Sequence, residues 1–164
     1  MIRVLLADDN EFVRMALVEL FNASGDMEVV AQCSDGDQVP AAAQQSAPDV
    51  VILDLAMPRR TGLEAARDLL SVAPAARIVL LTGNRSAATL NEAREIGLVG
   101  YLLKGEDPAE LLGHVRTVAA GGTAWSSDII TDGDPPRVSE MRNSRGSNYR
   151  ERRLGISTAV NAAL

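Results

Sequence analysis

The sequence predicts an α/β protein with a doubly wound parallel sheet of five strands and five helices. Two observations predict this class. Short apolar runs alternate along the chain with segments whose apolar residues recur at helical spacing. Several of these runs are too uniformly apolar to have one face in water, which is typical of parallel strands covered by helices on both sides. The chain is therefore predicted to be a series of strand–helix units.

The first two units precede residue 48. Residues 2–7 predict the first strand, and apolar residues then recur at helical spacing from Phe12 to Phe21, before the helix cap expected at Gly25. Residues 27–33 predict the second strand, which a turn at 34–36 connects to a helix rich in alanine and glutamine.

The other three units repeat this alternation. The third strand, Val50 to Asp54, is apolar up to its final aspartate, and Pro58 and Gly62 mark the turn that follows it. The remaining elements are a helix over about 61–73, a strand at 76–82, a helix over about 86–96, a strand at 98–103, and a last helix that starts at Pro108 and stops at Gly121–Gly122.

The topology brings three carboxylates together. Right-handed crossovers leave few arrangements, and five strands fit the flavodoxin-like order 2-1-3-4-5. In that order the first and third strands are neighbours, and ligands bind in the crevice outside their carboxyl ends. Asp8 and Asp9 follow the first strand, and Asp54 ends the third. We therefore expect these side chains in one crevice.

Such a crevice needs positive charge, because neighbouring carboxylates repel. Oxygen ligands without His or Cys suit a hard ion, and a small carboxylate set completed by water suits Mg²⁺. Thr82 and Lys104 end the next two strands and should face the same crevice. A hydroxyl and an ammonium opposite a metal-bound carboxylate form a receptor for a phosphoryl group, with Asp54 as the candidate nucleophile.

Composition narrows the class of protein. The chain has 164 residues, 46% of them hydrophobic, and a net charge of −6. No run approaches the roughly 18 apolar residues of a membrane span, and residues 1–10 lack the regions of a signal peptide. We expect a cytoplasmic protein without membrane contact, and the acidic charge argues against general nucleic-acid binding. Cys33 is predicted to be a buried hydrophobe, and His114 a helix residue away from the crevice.

The strand ends resemble the receiver domain of bacterial two-component response regulators over residues 1–122, and the stretch Gly100 to Lys104 is most similar to the NarL/LuxR-type branch. The elements that carry this resemblance are Asp8–Asp9, Asp54 followed by Met57–Pro58 and Gly62, Thr82 before the small Gly83, and Tyr101 three residues before Lys104.

The resemblance implies a phosphoacceptor site. Asp54 would take a phosphoryl group from a sensor histidine kinase, so the protein would catalyse its own phosphorylation and dephosphorylation without being a turnover enzyme. Mg²⁺ would be held by Asp9, Asp54 and the backbone carbonyl of Ala56, with Asp8 assisting through water. The other implied roles are phosphoryl contact for Thr82 and Lys104, switching for Thr82 and Tyr101, and tuning of dephosphorylation at the positions of Ala56 and Asn84.

The resemblance also implies a switch. Thr82 would be drawn toward the phosphoryl group, and Tyr101 would rotate inward into the vacated space. The surface of the fourth helix, fifth strand and fifth helix would then change and relay the signal, and the same surface is a candidate homodimer face.

Residues 123–164 are predicted to be a linker and a disordered tail. Residues 152–158 resemble the turn and the start of the recognition helix in a LuxR-type helix-turn-helix, but the flanking helices are missing, so we expect an absent or truncated output domain.

Three alternative functions are compatible with parts of the sequence. One is a transcription regulator whose tail or partner contacts DNA. Another is a receiver that binds partners without phosphorylation, although every acceptor-site residue is present. A phosphatase of the haloacid dehalogenase type is disfavoured, because that family has a second aspartate where this chain has Ala56.

Overall fold

A computed structural model of the chain describes residues 1–126. One sheet of six parallel strands has the order β2-β1-β3-β4-β5-β6, and five α-helices accompany it. Within this range no helix combines the length and apolar character needed to cross a membrane. The strands are β1 Ile2–Ala7, β2 Met27–Cys33, β3 Val50–Asp54, β4 Ile78–Thr82, β5 Gly100–Leu103 and β6 Ala124–Trp125, and the helices are α1 Glu11–Ala23, α2 Val39–Ser46, α3 Gly62–Val72, α4 Ala87–Ile96 and α5 Pro108–Ala119.

The predicted order of the first five strands and the five helices is confirmed. Strand β6 was not predicted, because two residues are too short to show a period and they were taken as part of the linker. It lies past the predicted domain boundary at residue 122. The rest of the predicted tail, including residues 152–158, lies outside the described residues.

Alternate residues of each central strand enter two separate cores. Leu5 and Leu53 pack on one side of the sheet, where α2, α3 and α4 lie. Leu6 and Ile52 pack on the other side, against α1 and α5. All four side chains are almost completely buried. This double coverage explains the uniformly apolar strands, because neither face of the sheet meets water.

The loop after β3 is folded tightly against the end of its own strand. A Cβ atom at Gly62 would lie 2.3 Å from the backbone oxygen of Asp54, so only glycine allows this approach. The next helix starts at a capping box in which Thr61 and Glu64 bond to each other's backbone N–H groups. The loop that follows Asp54 is therefore fixed at both ends.

Candidate functional site

Three carboxylates lie together at the carboxyl ends of β1 and β3, which are neighbouring strands. Asp8, Asp9 and Asp54 each offer an oxygen within 4.8 Å of the others. Asp8 and Asp54 are buried, with 1% and 6% of their surface exposed, and Asp9 is exposed. The structure thus brings together the residues that the sequence placed in one crevice.

The Lys104 ammonium bridges the two buried carboxylates. Its Nζ lies 2.6 Å from Asp8 Oδ2 and 3.0 Å from Asp54 Oδ1. Burial alone would lower the pKa of Lys104, but the hydrogen bonds to Asp8 and Asp54 raise it above its ordinary value. The lysine is therefore held charged at the centre of the site.

One ammonium does not balance three carboxylates. Burial raises the pKa of Asp54, and the nearby charge of Asp8 acts in the same direction, whereas Lys104 acts against both. A second cation in the crevice would relieve this repulsion, and all the side-chain donors are carboxylate oxygens, which suit a hard divalent ion.

A chain of hydrogen bonds runs from the end of β4 to β5. Thr82, which is 3% exposed, accepts a hydrogen bond at Oγ1 from the backbone N–H of Asn84, at 3.1 Å. The Asn84 carbonyl accepts from the hydroxyl of Tyr101 at 2.9 Å. Lys104 is joined to the same strand end, since its N–H donates to the Thr82 carbonyl at 2.8 Å. Hydrogen bonds therefore connect Thr82 to Asn84 and Lys104, and Asn84 to Tyr101.

Tyr101 already lies inward. Its side chain is completely buried in the core that contains Leu90 and Leu103. The sequence analysis expected this position only after phosphorylation. The inward position is available without a phosphoryl group because the Asn84 carbonyl satisfies the hydroxyl and the ring is fully packed.

Ala56 and Asn84 border the site from the two adjoining loops. The Ala56 N–H donates to Asp54 Oδ2 at 3.2 Å, so the acceptor carboxylate is oriented by its own loop. Both residues are exposed, and the methyl side chain of Ala56 offers no hydrogen-bonding group.

Sequence reasoning missed Asp35. This residue, 3% exposed, accepts the backbone N–H groups of Arg59 and Arg60, both at 3.0 Å, and its carboxylate lies 3.4 Å from Arg59 Nε. Burial would raise the pKa of Asp35, but these N–H groups and the Arg59 charge hold it below its ordinary value. The loop after Asp54 is thereby fastened to the end of β2. The one available signal was an aspartate directly before a glycine, which the sequence analysis assigned to a turn.

The sheet order and the residues at the strand ends define a receiver-type α/β domain. Residues 4–116 match the family described as response regulator receiver domain, and the chain belongs to that family. It is the receiver class of two-component signal transduction.

The relatives of the chain are transcriptional response regulators. It is 42% identical over 135 residues to the transcriptional regulatory protein YxjL of Bacillus subtilis (strain 168), a match covering 80% of this chain and 62% of YxjL. It is 33% identical over 161 residues to the response regulator UvrY of Escherichia coli (strain K12), covering 98% of this chain and 74% of UvrY. The chain spans about three fifths of the length of YxjL and other curated relatives.

A solved structure shares the fold. The crystal structure of a LuxR-family two-component response regulator from Aurantimonas sp. SI85-9A1 superposes with a TM-score of 0.74 at 35% identity, covering 77% of this chain and 91% of that one. The receiver assignment and the NarL/LuxR-type relationship drawn from the sequence are confirmed.

Proposed function

We propose that Asp54 accepts a phosphoryl group from a phosphohistidine of a sensor histidine kinase. The observation that carries this proposal is the bridging of Asp8 and Asp54 by Lys104 at the ends of three separate strands. Receiver domains are generally not turnover enzymes, and here the chain would act on its own carboxylate.

The transfer is a displacement at phosphorus. An oxygen of the Asp54 carboxylate forms the new O–P bond, and the P–N bond of the phosphohistidine breaks with its electron pair staying on the imidazole. Lys104, now 3.0 Å from Asp54, can move a short distance to pair with a phosphoryl oxygen. The Thr82 hydroxyl can donate to another, which its present role as an acceptor from Asn84 leaves open.

The acidic cluster is proposed to hold Mg²⁺. The residues that would hold it are Asp8, Asp9 and Asp54 with the backbone carbonyl of Ala56, and the set fits because its side-chain donors are oxygens that lie within 4.8 Å of one another. Bound there, the ion would neutralise charge on the phosphoryl oxygens.

The proposed switch uses Thr82 and Tyr101. Thr82 engages the phosphoryl group, and the hydrogen bonds through Asn84 favour the inward Tyr101 seen in the structure. The side chain at position 56 would not assist dephosphorylation, because Ala56 offers no group to orient an attacking water.

Intact-mass analysis after incubation with acetyl phosphate and Mg²⁺ tests the proposal. The native chain should gain one phosphoryl group, and Asp54→Asn should gain none. Glu19→Gln, also a carboxylate-to-amide change but more than two turns into helix α1, should behave like the native chain. A native chain that remains folded but gains no phosphoryl group would favour the alternative of a receiver that binds partners without phosphorylation.

A second function, DNA-binding transcriptional regulation, is supported by the names of the relatives and by an alignment to UvrY that covers 98% of this chain. Its output would be a DNA contact made by residues beyond the receiver, or a homodimer formed through α4, β5 and α5. Binding of a duplex that is lost on deleting residues 131–164 would support direct DNA contact, and a monomer in both phosphorylation states would contradict the dimer.

A further inference from the structure

Strand β6 is fastened to the strand that carries the switch tyrosine. The Ala124 N–H donates to the Val99 carbonyl and the Ser126 N–H donates to the Tyr101 carbonyl, both at 2.9 Å. The register places Trp125 beside Tyr101. The residues that follow α5 therefore contact the backbone of the same residue whose hydroxyl is bonded to the Asn84 loop.

The sequence of β5 allows this pairing at close range. A Cβ atom at Gly100 would lie 2.7 Å from the Ala124 carbonyl oxygen, so any other residue would push β6 away. Trp125 then packs against the core on the side of α4, where the Arg94 guanidinium lies 5.0 Å from the ring centroid. Strand β6 is therefore held both by its close approach to Gly100 and by the packing of the Trp125 side chain.

Glu106 makes a second fastening, this time to the lysine loop. Its Oε1 accepts the backbone N–H of Leu103 at 3.1 Å and also the hydroxyl of Ser126. Its Oε2 lies 3.2 Å from Nδ1 of His114 on α5. Because Glu106 is only two residues after Lys104, the turn that carries the ammonium is tied directly to the residue after β6.

We propose that residues 124–126 and Glu106 form a clasp whose closure is linked to loading of the acceptor site. This inference rests on the proposed phosphorylation of Asp54. One connection runs from Thr82 through Asn84 and Tyr101 to β6, and the other from Lys104 through Glu106 to Ser126.

Loading favours the closed clasp. The closed arrangement is the one in which Tyr101 is inward and Lys104 lies 3.0 Å from Asp54, within a short movement of an oxygen of a phosphoryl group on that residue. Glu106 is in this sense a positioning residue that acts through Lys104.

Linkage makes the proposal reciprocal. If loading stabilises the clasp by a given factor, then opening the clasp must weaken loading by the same factor. A residue with a merely structural role would lower the stability of the whole fold without showing this equality.

The test uses the full chain with beryllium fluoride and Mg²⁺ as the phosphoryl mimic. Hydrogen exchange of the Ala124 and Ser126 amides, followed by NMR, should slow by about tenfold at saturation, a coupling of the usual size. The fluorescence of Trp125, the single tryptophan, should titrate with the same midpoint.

Variants at Glu106 distinguish an effect of the clasp on loading from a general loss of stability. Glu106→Ala should weaken loading, at most by the factor by which loading raises the protection of the Ala124 and Ser126 amides in the native chain. Glu106→Gln should restore both, because an amide oxygen can accept the same two hydrogen bonds. Glu110→Ala, the same change four residues later at an exposed position of α5, is the matched control and should bind the mimic like the native chain. If Glu106→Ala fails to fold, Ser126→Ala removes the hydroxyl while keeping the strand N–H, and should act in the same direction.

The outcomes distinguish the clasp from the acceptor site. Loading of the native chain with unchanged exchange at residues 124 and 126, or unaltered loading in Glu106→Ala, would overturn the linkage and leave the acceptor function intact. Failure of the native chain to load, judged by absent Mg²⁺-dependent shifts around Asp54, would overturn both.

Discussion

Replacing Asp9 with Asn should weaken metal binding without lowering the stability of the fold. Asp9 is exposed, whereas its neighbour Asp8 is buried, pairs with Lys104 at 2.6 Å and accepts the Asn10 N–H at 2.8 Å. The two aspartates should therefore respond in opposite ways to the same substitution. Without Mg²⁺, Asp9→Asn should leave stability unchanged or raise it, and Asp8→Asn should lower it.

The expected change in the free energy of unfolding follows from the charges in the site. The carboxylate oxygens lie within 4.8 Å of one another, and two charges at that limit repel by about 0.9 kcal/mol in a water-like dielectric, so removing the Asp9 charge should raise the free energy of unfolding by about 1 kcal/mol after Lys104 is counted. With Mg²⁺ at ten times its dissociation constant, the native chain should gain about 1.4 kcal/mol, or roughly 3–6 °C in Tm. Asp9→Asn should lose most of that gain, because a ligand is missing.

Thermal unfolding with and without MgCl₂, at ionic strength balanced with NaCl, measures both effects, and calorimetric titration gives the dissociation constant independently. An equal Mg²⁺-dependent rise in Tm for native and Asp9→Asn chains would refute the metal assignment. A fall in Tm of Asp9→Asn without Mg²⁺ would refute the claim that this carboxylate is repelled in the free site.

Three further changes probe the surroundings of the site. Gly62→Ala should cost about 1–3 kcal/mol in urea unfolding, because the new Cβ would lie 2.3 Å from the Asp54 oxygen, and an unchanged midpoint would contradict that packing. Asp35→Ala should reduce acetyl phosphate labelling more than Asp35→Asn, whose amide oxygen can still accept one loop N–H, and labelling of both variants at the native level would show that the loop does not need these hydrogen bonds. Burial raises the pKa of Cys33 to about 11, so iodoacetamide should label the native thiol slowly at pH 8, faster as pH rises toward that value, and readily after unfolding.

The sequence alone predicted those features of the fold that follow from the pattern of apolar and polar residues along the chain. The run from Val50 to Asp54 predicted a strand buried on both faces, and alternate residues such as Leu53 and Ile52 do enter opposite cores. Asp8, Asp9, Asp54 and Lys104 were placed correctly in one crevice, because parallel strands end at one edge of the sheet. Their chemical roles were carried by resemblance and remain predictions.

Features that depend on contacts distant in the sequence were not predictable. The buried Asp35 carboxylate is satisfied by two N–H groups of the loop at 59–60. No residue near Asp35 in the sequence indicates that this loop lies against it. The inward Tyr101 depends on the Asn84 carbonyl, 17 residues earlier. Strand β6 has two residues, so no alternation can show it, and the signal lay instead in its partner, where Gly100 interrupts an apolar run.

The sixth strand also changes the surface proposed for dimerisation. In the predicted strand order β5 is the last strand of the sheet, but in the structure β6 lies at that edge and the Trp125 ring lies next to the Arg94 guanidinium of α4. A partner bound at this face would contact residues of the clasp. Any change in the clasp on phosphorylation would therefore alter the same surface, so the relay of the signal to a partner would depend on the clasp residues.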